Sequence, residues 1–282
     1  MSLTGAAKIA GVMGWPVAHS RSPALHGFWL SEHRIDGVYV PLAVRPENVR
    51  GAIRSLPLLG FAGCNVTIPH KEAALAAVDE ADLSARRAGA VNTIIVGADG
   101  RLKGANSDAF GFLENLRASV PGWRAGDGPA VVLGAGGGAR SVVAALVDEG
   151  TPEIRLVNRT QDRAVALARE LGGPVRCTAW ADRARALDGA ALLVNATSLG
   201  MEGQPPLDLP LDHLGVGAVV NDIVYVPLET PLLAAARARG NRVVDGLGML
   251  LHQGRPGFAA WFGVMPAVTP ALRRAILATF GR

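Results

Sequence analysis

The stretch from Val131 to Arg140 constrains the fold of this chain more than any other, because an apolar strand runs there into a glycine-rich turn and a helix. Its residues fit the pattern GxGxxA. In that pattern Gly134 makes the tight turn, Gly136 lets a pyrophosphate approach the backbone, and Ala139 allows close packing of helix on strand. The stretch therefore predicts a dinucleotide-binding turn. The alternative is a tight turn that binds no ligand, because a chain rich in Ala and Gly can match this pattern by chance.

The helix after this turn is predicted from Arg140 to Glu149. Its first N–H groups have no partner within the helix, so they are available to an anion. The turn residues are the first candidates for cofactor binding, and they are Gly134, Ala135, Gly136, Gly137 and Gly138.

The next strand, from Glu153 to Val157, ends where a dinucleotide-binding unit selects between NAD and NADP. An NAD enzyme has Asp or Glu about 20 residues after the glycines, to bind the ribose 2′-hydroxyl. This chain has instead an amide, a hydroxyl and two cations, which are Asn158, Arg159, Thr160 and Arg163. A guanidinium binds a 2′-phosphate well, so these residues favour NADP. A solvated helix start is the other interpretation of the two arginines.

The composition indicates a two-domain α/β protein, because 49% of the 282 residues are hydrophobic and 18% are charged. The net charge is +4, but the arginines form no basic run, so a small anionic ligand fits better than a nucleic acid. The longest uncharged stretch, from Pro256 to Leu272, contains three prolines and cannot be a membrane-spanning helix. No membrane attachment is expected.

The two cysteines, Cys64 and Cys177, lie far apart and share no metal-binding spacing. They favour a reducing compartment, and no metal site is predicted. The N-terminus lacks the basic, apolar and small-residue order of a signal peptide. A cytoplasmic protein is therefore expected, with a homodimer as one option for its oligomeric state.

The first part of the chain alternates between strands and helices, which predicts a parallel sheet. Its first three strands are expected over Lys8 to Gly14, Val38 to Val44 and Phe61 to Ile68. Ser22 follows the first of them and is a natural N-cap for a helix that extends to Glu32. The functional interpretation is that Ser20 and Ser22 form a carboxylate-binding site at the start of this helix.

The third strand is followed by Pro69-His70-Lys71, which puts Thr67 and Lys71 at a carboxyl end. Ligands gather at such ends in open α/β sheets. The chain has three lysines against twenty-five arginines, so Lys71 indicates a need for an ammonium group rather than a guanidinium. No role is assigned to His70.

A further strand, from Ala90 to Val96, contains Asn92, and a hairpin through Asp99-Gly100 follows it. Asp108 then begins a helix, by default as its N-cap. A Gly- and Pro-rich segment comes next, and it places the domain boundary between Asp108 and Pro129.

The second half of the chain predicts about six strands in one Rossmann-type sheet. The last two helices are predicted over 247–262 and 270–280. No further strand is predicted in this part of the chain, so these helices are expected to return to the first domain. The predicted fold is therefore α/β with two domains. Residues 1–108 and 247–282 form an N-terminal α/β substrate domain completed by C-terminal helices, and residues 109–246 form a dinucleotide-binding domain.

Eight motifs along nearly the whole chain occur in the order of one known family. They are His19-Ser20-Arg21-Ser22-Pro23, Asn65-Val66-Thr67-Ile68-Pro69-His70-Lys71, Gly89-Ala90-Val91-Asn92-Thr93, Asn106-Ser107-Asp108, the glycine turn, Asn158-Arg159-Thr160, Asn195-Ala196-Thr197-Ser198 and Asp245-Gly246-Leu247-Gly248-Met249. On these motifs the chain resembles the shikimate dehydrogenase family.

The resemblance implies reversible, NADPH-dependent reduction of 3-dehydroshikimate to shikimate, a step of aromatic amino acid biosynthesis. It implies Lys71 as the acid/base residue, with Asp108 beside it. The side chains implied to bind the substrate are Ser20, Ser22, Thr67, Asn92, Tyr225 and Gln253. Further cofactor contacts are implied for Thr197 and, along the nicotinamide, for Ile223, Gly246 and Met249. The family more often has Thr at Ser107 and often an acid at Ala105, so fine substrate preference stays open.

The implied chemistry suits these residue types, because hydride addition builds charge on a ketone oxygen and a positioned ammonium neutralises it by giving up a proton. One alternative is a related enzyme that acts on quinate or an aminated shikimate. An alternative from another class is a catalytically silent NADP-binding regulator, against which the presence of both Lys71 and Asp108 argues.

Overall fold

The computed structural model describes residues 3–280, which divide into two compact units. The first unit comprises the described residues up to Ser107 together with those from Leu251 onward, and the second runs from Asp108 to Leu250. The chain thus leaves its first unit, builds the second without interruption and then returns. The roles expected for the units, substrate binding and NADP binding, stay predictions.

Within the described residues, the first unit contains a six-stranded mixed sheet. Its strands are β1 (Lys8–Gly14), β2 (Gly37–Ala43), β3 (Phe61–Val66), β4 (Glu80–Ala81), β5 (Thr93–Val96) and β6 (Leu102–Ala105), in the order β2-β1-β3-β5-β6-β4. Strand β1 is parallel to β2 and β3, but β5 is antiparallel to β3 and β6. The predicted parallel arrangement is confirmed for the first three strands and does not extend to β5. The predicted hairpin through Asp99-Gly100 accounts for the pairing of β5 with β6, because a connection this short can join only antiparallel strands.

The helices between these strands are α1 (Ser22–Glu32), α2 (Val49–Ser55), α3 (Lys71–Leu75) and α4 (Leu83–Ala88). Helix α1 begins at Ser22 itself, and Arg21 occupies the N-cap position without a side-chain hydrogen bond. The prediction of Ser22 as N-cap is wrong. The hydroxyl of Ser20 accepts a hydrogen bond from the Ser22 N–H at 3.3 Å instead, so the earlier serine satisfies one of the free donors at this helix start.

In the second unit, the strands of the described chain pair only in parallel. They are β7 (Ala130–Leu133), β8 (Ile154–Val157), β9 (Val175–Thr178), β10 (Leu192–Asn195), β11 (Val219–Asp222) and β12 (Arg242–Val244), in the order β12-β11-β10-β7-β8-β9. Numbered from β7 and read from the β9 edge, this is the order 3-2-1-4-5-6 of a doubly wound dinucleotide-binding sheet. The order reverses between β7 and β10, which places a crevice at the carboxyl ends of these two strands. The predicted α/β class with a Rossmann-type sheet is confirmed.

The helices of this unit are α5 (Asp108–Ser119), α6 (Gly137–Asp148), α7 (Gln161–Leu171) and α8 (Pro231–Ala238). Helix α6 begins three residues before the predicted start at Arg140. Glycine disfavours a helix by about 1 kcal/mol per residue, but burial of Ala139 against the core holds the glycine-rich first turn in helical form. Asp108 is the first residue of α5 rather than its N-cap.

The last helices are α9 (Leu247–Phe262) and α10 (Pro270–Leu277). From Leu251 onward they belong to the first unit. Trp261 of α9 donates a hydrogen bond from Nε1 to the Ile94 carbonyl at 2.9 Å. A Cβ at Gly63 would collide with the Trp261 indole, so this glycine lets α9 lie directly on the sheet. No helix within residues 3–280 is long and apolar enough to cross a membrane.

Apolar side chains cover both faces of the second sheet. Successive residues of a strand point to opposite faces, so an entirely apolar strand contributes to the core on both sides. Ala130 and Val132 of β7 belong to one buried cluster, and Val131 and Leu133 belong to another. All four are essentially inaccessible to solvent. The carboxyl ends of the strands are thereby held in place as a platform for the loops that follow them.

Candidate active site

The glycine turn after β7 has a backbone that only glycine adopts easily. Gly134 has φ +108° and donates its N–H to the Val157 carbonyl at 2.8 Å. A Cβ at Gly134 would lie 2.8 Å from the Ala196 carbonyl oxygen, so a side chain there would collide with the neighbouring loop. A Cβ at Gly136 or Gly137 would meet nothing within 4 Å. The turn therefore presents open backbone at the start of α6, which fits a pyrophosphate group.

The side chain of Ile223 lies beside this turn, although it is distant in sequence. A Cβ at Gly138 would lie 2.9 Å from Ile223 Cδ1, and a Cβ at Gly246 would collide with the Ile223 carbonyl. Met249 and Ile223 are both partly buried against the same apolar cluster. The structure thus brings four of the predicted cofactor residues, Gly138, Ile223, Gly246 and Met249, to the carboxyl end of the second sheet.

Thr197 flanks the glycine turn from the loop after β10. Its Cγ2 would lie 3.2 Å from a Cβ at Gly134. Its N–H and its hydroxyl both donate to Oδ1 of Asn195, at 3.1 and 2.7 Å, and its hydroxyl accepts from the Leu199 N–H at 3.0 Å. These bonds fold the loop tightly on itself, so Asn195 supports a residue predicted to contact the cofactor.

The turn after β8 presents two guanidinium groups to solvent. Asn158 shapes this turn by donating from Nδ2 to the Thr160 carbonyl at 2.8 Å, and Thr160 is the N-cap residue of α7. Arg159, Thr160 and Arg163 are exposed. Over residues 3–280, neither of these two arginines forms an ion pair with a carboxylate. The site therefore keeps two cations available for an anion such as a ribose 2′-phosphate.

Five predicted residues of the first unit lie at one edge of its sheet. Strands β1 and β3 are parallel, so their carboxyl ends share an edge, and antiparallel β5 begins at that same edge. Ser20 and Ser22 follow β1, Thr67 and Lys71 follow β3, and Asn92 directly precedes β5. The β1–α1 connection, the β3–α3 connection and the start of β5 therefore lie at the same edge. Their side chains are up to 72 positions apart in the chain.

Lys71 is the first residue of α3 and is half-buried. Its carbonyl accepts a hydrogen bond from the Val91 N–H at 2.9 Å, which ties the start of α3 to the chain before β5. Gly14 makes room for Thr67, because a Cβ at Gly14 would lie 2.5 Å from Thr67 Cγ2. His70 is buried, and its Nε2 lies 2.7 Å from the Val44 carbonyl, so its environment accounts for it as a packing residue.

A buried hydrogen-bond cluster lies behind this edge. Oδ1 of Asn92 accepts from the Thr93 hydroxyl at 2.9 Å and from the N–H and hydroxyl of Ser107 at 2.9 and 3.2 Å. Asn65 donates from Nδ2 to the Asn92 carbonyl at 3.0 Å and accepts from the Tyr39 hydroxyl at 2.7 Å. Sequence reasoning gave Asn65 and Tyr39 no role of their own, because a pairing across the sheet leaves no local pattern.

The remaining predicted residues lie in different parts of the structure. Gln253 is half-buried on α9 in the first unit. Tyr225 is half-buried in the loop after β11, and Asp108 is half-buried at the start of α5, both in the second unit. Among residues 3–280, no group of three or more His, Cys, Asp or Glu side chains could hold a metal ion.

Comparison with known proteins gives two family matches along the chain. Residues 12–94 match the family described as shikimate dehydrogenase substrate binding domain, and residues 123–200 match shikimate / quinate 5-dehydrogenase. The chain is also 64% identical over 279 residues to a shikimate dehydrogenase (NADP+) of Rhodospirillum rubrum, covering 98% of this chain and 99% of that protein. The chain belongs to the shikimate dehydrogenase family.

Solved structures of the shikimate dehydrogenase family share this fold. The enzyme from Thermus thermophilus in complex with NADP(H) and shikimate is 40% identical, with a TM-score of 0.85 over 96% of this chain and 99% of that one. A quinate dehydrogenase from Corynebacterium glutamicum in complex with NAD is 30% identical, with a TM-score of 0.89 over 96% and 99%. The family therefore includes members with different substrates and cofactors.

Proposed function

We propose that this chain is an NADP-dependent oxidoreductase that interconverts shikimate and 3-dehydroshikimate. The observation that carries the proposal is its 64% identity, over nearly its whole length, to a shikimate dehydrogenase (NADP+). The Thermus thermophilus relative with NADP(H) and shikimate supports the same pair of ligands for this chain. The reaction serves aromatic amino acid biosynthesis, and we propose the cytoplasm as its location.

The second unit is proposed to bind NADP, which supplies or accepts the hydride. The open backbone from Gly134 to Gly138 would bind the pyrophosphate at the start of α6. Arg159 and Arg163 would bind the 2′-phosphate, because neither pairs with a carboxylate among the described residues and no acid stands at Asn158 to select NAD. Thr197, Ile223, Gly246 and Met249 are proposed to complete the cofactor site.

The first unit is proposed to supply most of the substrate site. Ser20 and Ser22 would bind the carboxylate at the start of α1, while the ring hydroxyls would be held by Thr67, Asn92, Gln253 and Tyr225. The Oδ1 atom of Asn92 already accepts three hydrogen bonds, so its contribution to a ring hydroxyl would come from Nδ2.

Lys71 is proposed as the general acid and base. During reduction its ammonium gives a proton to the ketone oxygen as negative charge develops there, and during oxidation its amine takes the proton back. Lys71 is suited to this role by its position, because it is the half-buried first residue of α3, just after the carboxyl end of β3. Asp108 is proposed as the second catalytic residue, which orients the lysine.

Initial rates with the purified protein test this proposal. Shikimate and quinate are each combined with NADP and with NAD, and formation of the reduced nicotinamide is followed by absorbance. We expect the highest kcat/KM with shikimate and NADP. Quinate and NAD are the informative comparison, because a relative with that pair has the same fold. A higher kcat/KM with quinate, or with NAD, would contradict the corresponding half of the proposal.

A further inference from the structure

A carboxylate is buried at the carboxyl end of β11. Asp222 is inaccessible to solvent, and its partners in the described chain are neutral donors. Oδ1 accepts from Asn195 Nδ2 and from the Val224 N–H, both at 3.0 Å, and Oδ2 accepts from the Thr230 hydroxyl at 2.7 Å. Burial raises the pKa of Asp222, and these three hydrogen bonds oppose that shift.

The asparagine in this cluster uses both ends of its amide. Nδ2 of Asn195 donates to Asp222 and to the Leu199 carbonyl at 3.1 Å, while Oδ1 accepts from the N–H and hydroxyl of Thr197. Asn195 and Asp222 are the last residues of β10 and β11, which pair in parallel. Their side chains therefore join the loops that follow two adjacent strands.

Both loops carry residues of the proposed function. One holds Thr197 beside the glycine turn, and the other holds Ile223 and Tyr225. The Val224 N–H lies between Ile223 and Tyr225 in the chain, so its bond to Asp222 sets the orientation of the backbone that aims both side chains. Thr230 anchors the far end of that loop, because its hydroxyl also caps α8 at the Leu233 N–H.

Burying a carboxylate is costly unless its hydrogen bonds are well made, and apolar residues of similar size often stabilise a fold equally well. Hydrogen bonds to an ionised acceptor are shorter and stronger than neutral ones, and they fix geometry. We propose that Asp222 is a positioning residue, which holds the Thr197 loop and the Ile223–Tyr225 loop in the geometry that the cofactor and substrate require. This inference rests on the proposed function.

Three variants test the inference: Asp222→Ala, Asp222→Asn and the control Asn241→Ala. Asn241 is also buried in the second unit, and it donates from Nδ2 to the carbonyls of Gly215, Val216 and Ala218. It precedes β12, so it lies at the opposite edge of this parallel sheet. Its loss removes comparable hydrogen bonds without touching either proposed loop.

Because a misplacement of about 1 Å can cost roughly 10²-fold in rate, we expect Asp222→Ala to lower kcat/KM for shikimate about tenfold or more and to weaken NADP binding. Asp222→Asn should recover most of this loss, since its amide oxygen still accepts from Asn195 and Val224. Asn241→Ala should lower Tm while kcat/KM, measured well below that Tm, stays close to that of the unaltered protein. NADP affinity is measured separately by fluorescence titration.

A folded Asp222→Ala protein with unchanged kcat/KM and NADP affinity would overturn the inference, and so would an equal loss in Asn241→Ala. If Asp222→Ala does not fold, Thr230→Val removes one donor and keeps the carboxylate; unchanged kinetics in that variant would likewise overturn it. If the unaltered protein binds NADP but does not oxidise shikimate, the proposed function fails. The positioning role is then decided by NADP affinity alone, which Asp222→Ala should still weaken.

Discussion

Replacing His26 by phenylalanine tests how the core of the first unit shapes the pH dependence of stability. His26 lies on α1 with no exposed surface, and its ring stacks on Tyr39 with centroids 4.0 Å apart. Neither ring nitrogen has a hydrogen-bond partner within the described chain. Burial lowers the pKa of His26 to about 3 from its ordinary value of 6.5.

The sign of the effect follows from proton binding in the two states. Below pH 6.5 the unfolded chain protonates His26 while the native ring stays neutral, so stability falls as the pH drops from 6.5 toward 3. Within that window each pH unit removes about 1.4 kcal/mol from the free energy of unfolding. Between pH 7 and pH 5 the contribution of His26 is therefore a loss of about 2 kcal/mol.

His26→Phe keeps an aromatic ring against Tyr39 and removes the proton-binding site. We expect its free energy of unfolding to fall between pH 7 and pH 5 by about 2 kcal/mol less than that of the unaltered protein. At pH 7 the variant should be at least as stable, because no hydrogen bond is lost and two unpaired nitrogens disappear.

Urea unfolding at both pH values, followed by circular dichroism, measures this difference for each protein. The other five histidines are common to both proteins, so their contributions cancel. Equal losses of stability in the two proteins would show that native His26 takes up a proton as readily as the unfolded chain. The reasoning from burial would then be refuted.

Three further predictions concern the proposed site. Lys71→Ala should lower kcat by about 10² to 10⁴, and Lys71→Arg should not restore it, because a guanidinium does not readily release a proton; near-normal kcat in a folded Lys71→Ala protein would remove the residue from the mechanism. Arg159→Asp should reverse or abolish the preference for NADP, measured as the ratio of kcat/KM values for NADP and NAD, and an unchanged ratio would contradict the 2′-phosphate assignment. Ser20→Ala should raise KM for shikimate and destabilise the protein by about 1 kcal/mol, since its hydroxyl also accepts the Ser22 N–H; an unchanged KM would argue against carboxylate binding.

Much of the second unit follows from short-range chemistry in the sequence. The turn at Gly134 needs a positive φ and close backbone approach, which only glycine provides at little cost. Parallel strands separated by helices follow from the alternation of apolar runs with helical spacing. The sequence also places Arg159 and Thr160 directly after β8, so the expectation of NADP needs only the order of elements and the charge of two side chains.

The sequence predicts the helix starts less well, because helix propensity and N-cap preference contribute little free energy and packing overrides them. Ser22 is a better N-cap residue than Arg21, yet α1 begins at Ser22, where the Ser20 hydroxyl already serves its N–H. Glycines open α6 despite their low helix propensity, because Ala139 is packed in the core.

The sequence alone does not predict the hydrogen-bond partners of the buried polar groups. Asp222 meets Asn195 across 27 positions, and Trp261 meets Ile94 across 167, so no local spacing encodes either contact. In the local sequence His26 is an ordinary helix residue. In the fold, Phe258 of α9 and Tyr39 of β2 pack against its ring. Local sequence thus specifies turns, elements and charge, whereas hydrogen-bond partners and pKa values depend on which distant segments exclude water, and that is a property of the folded chain alone.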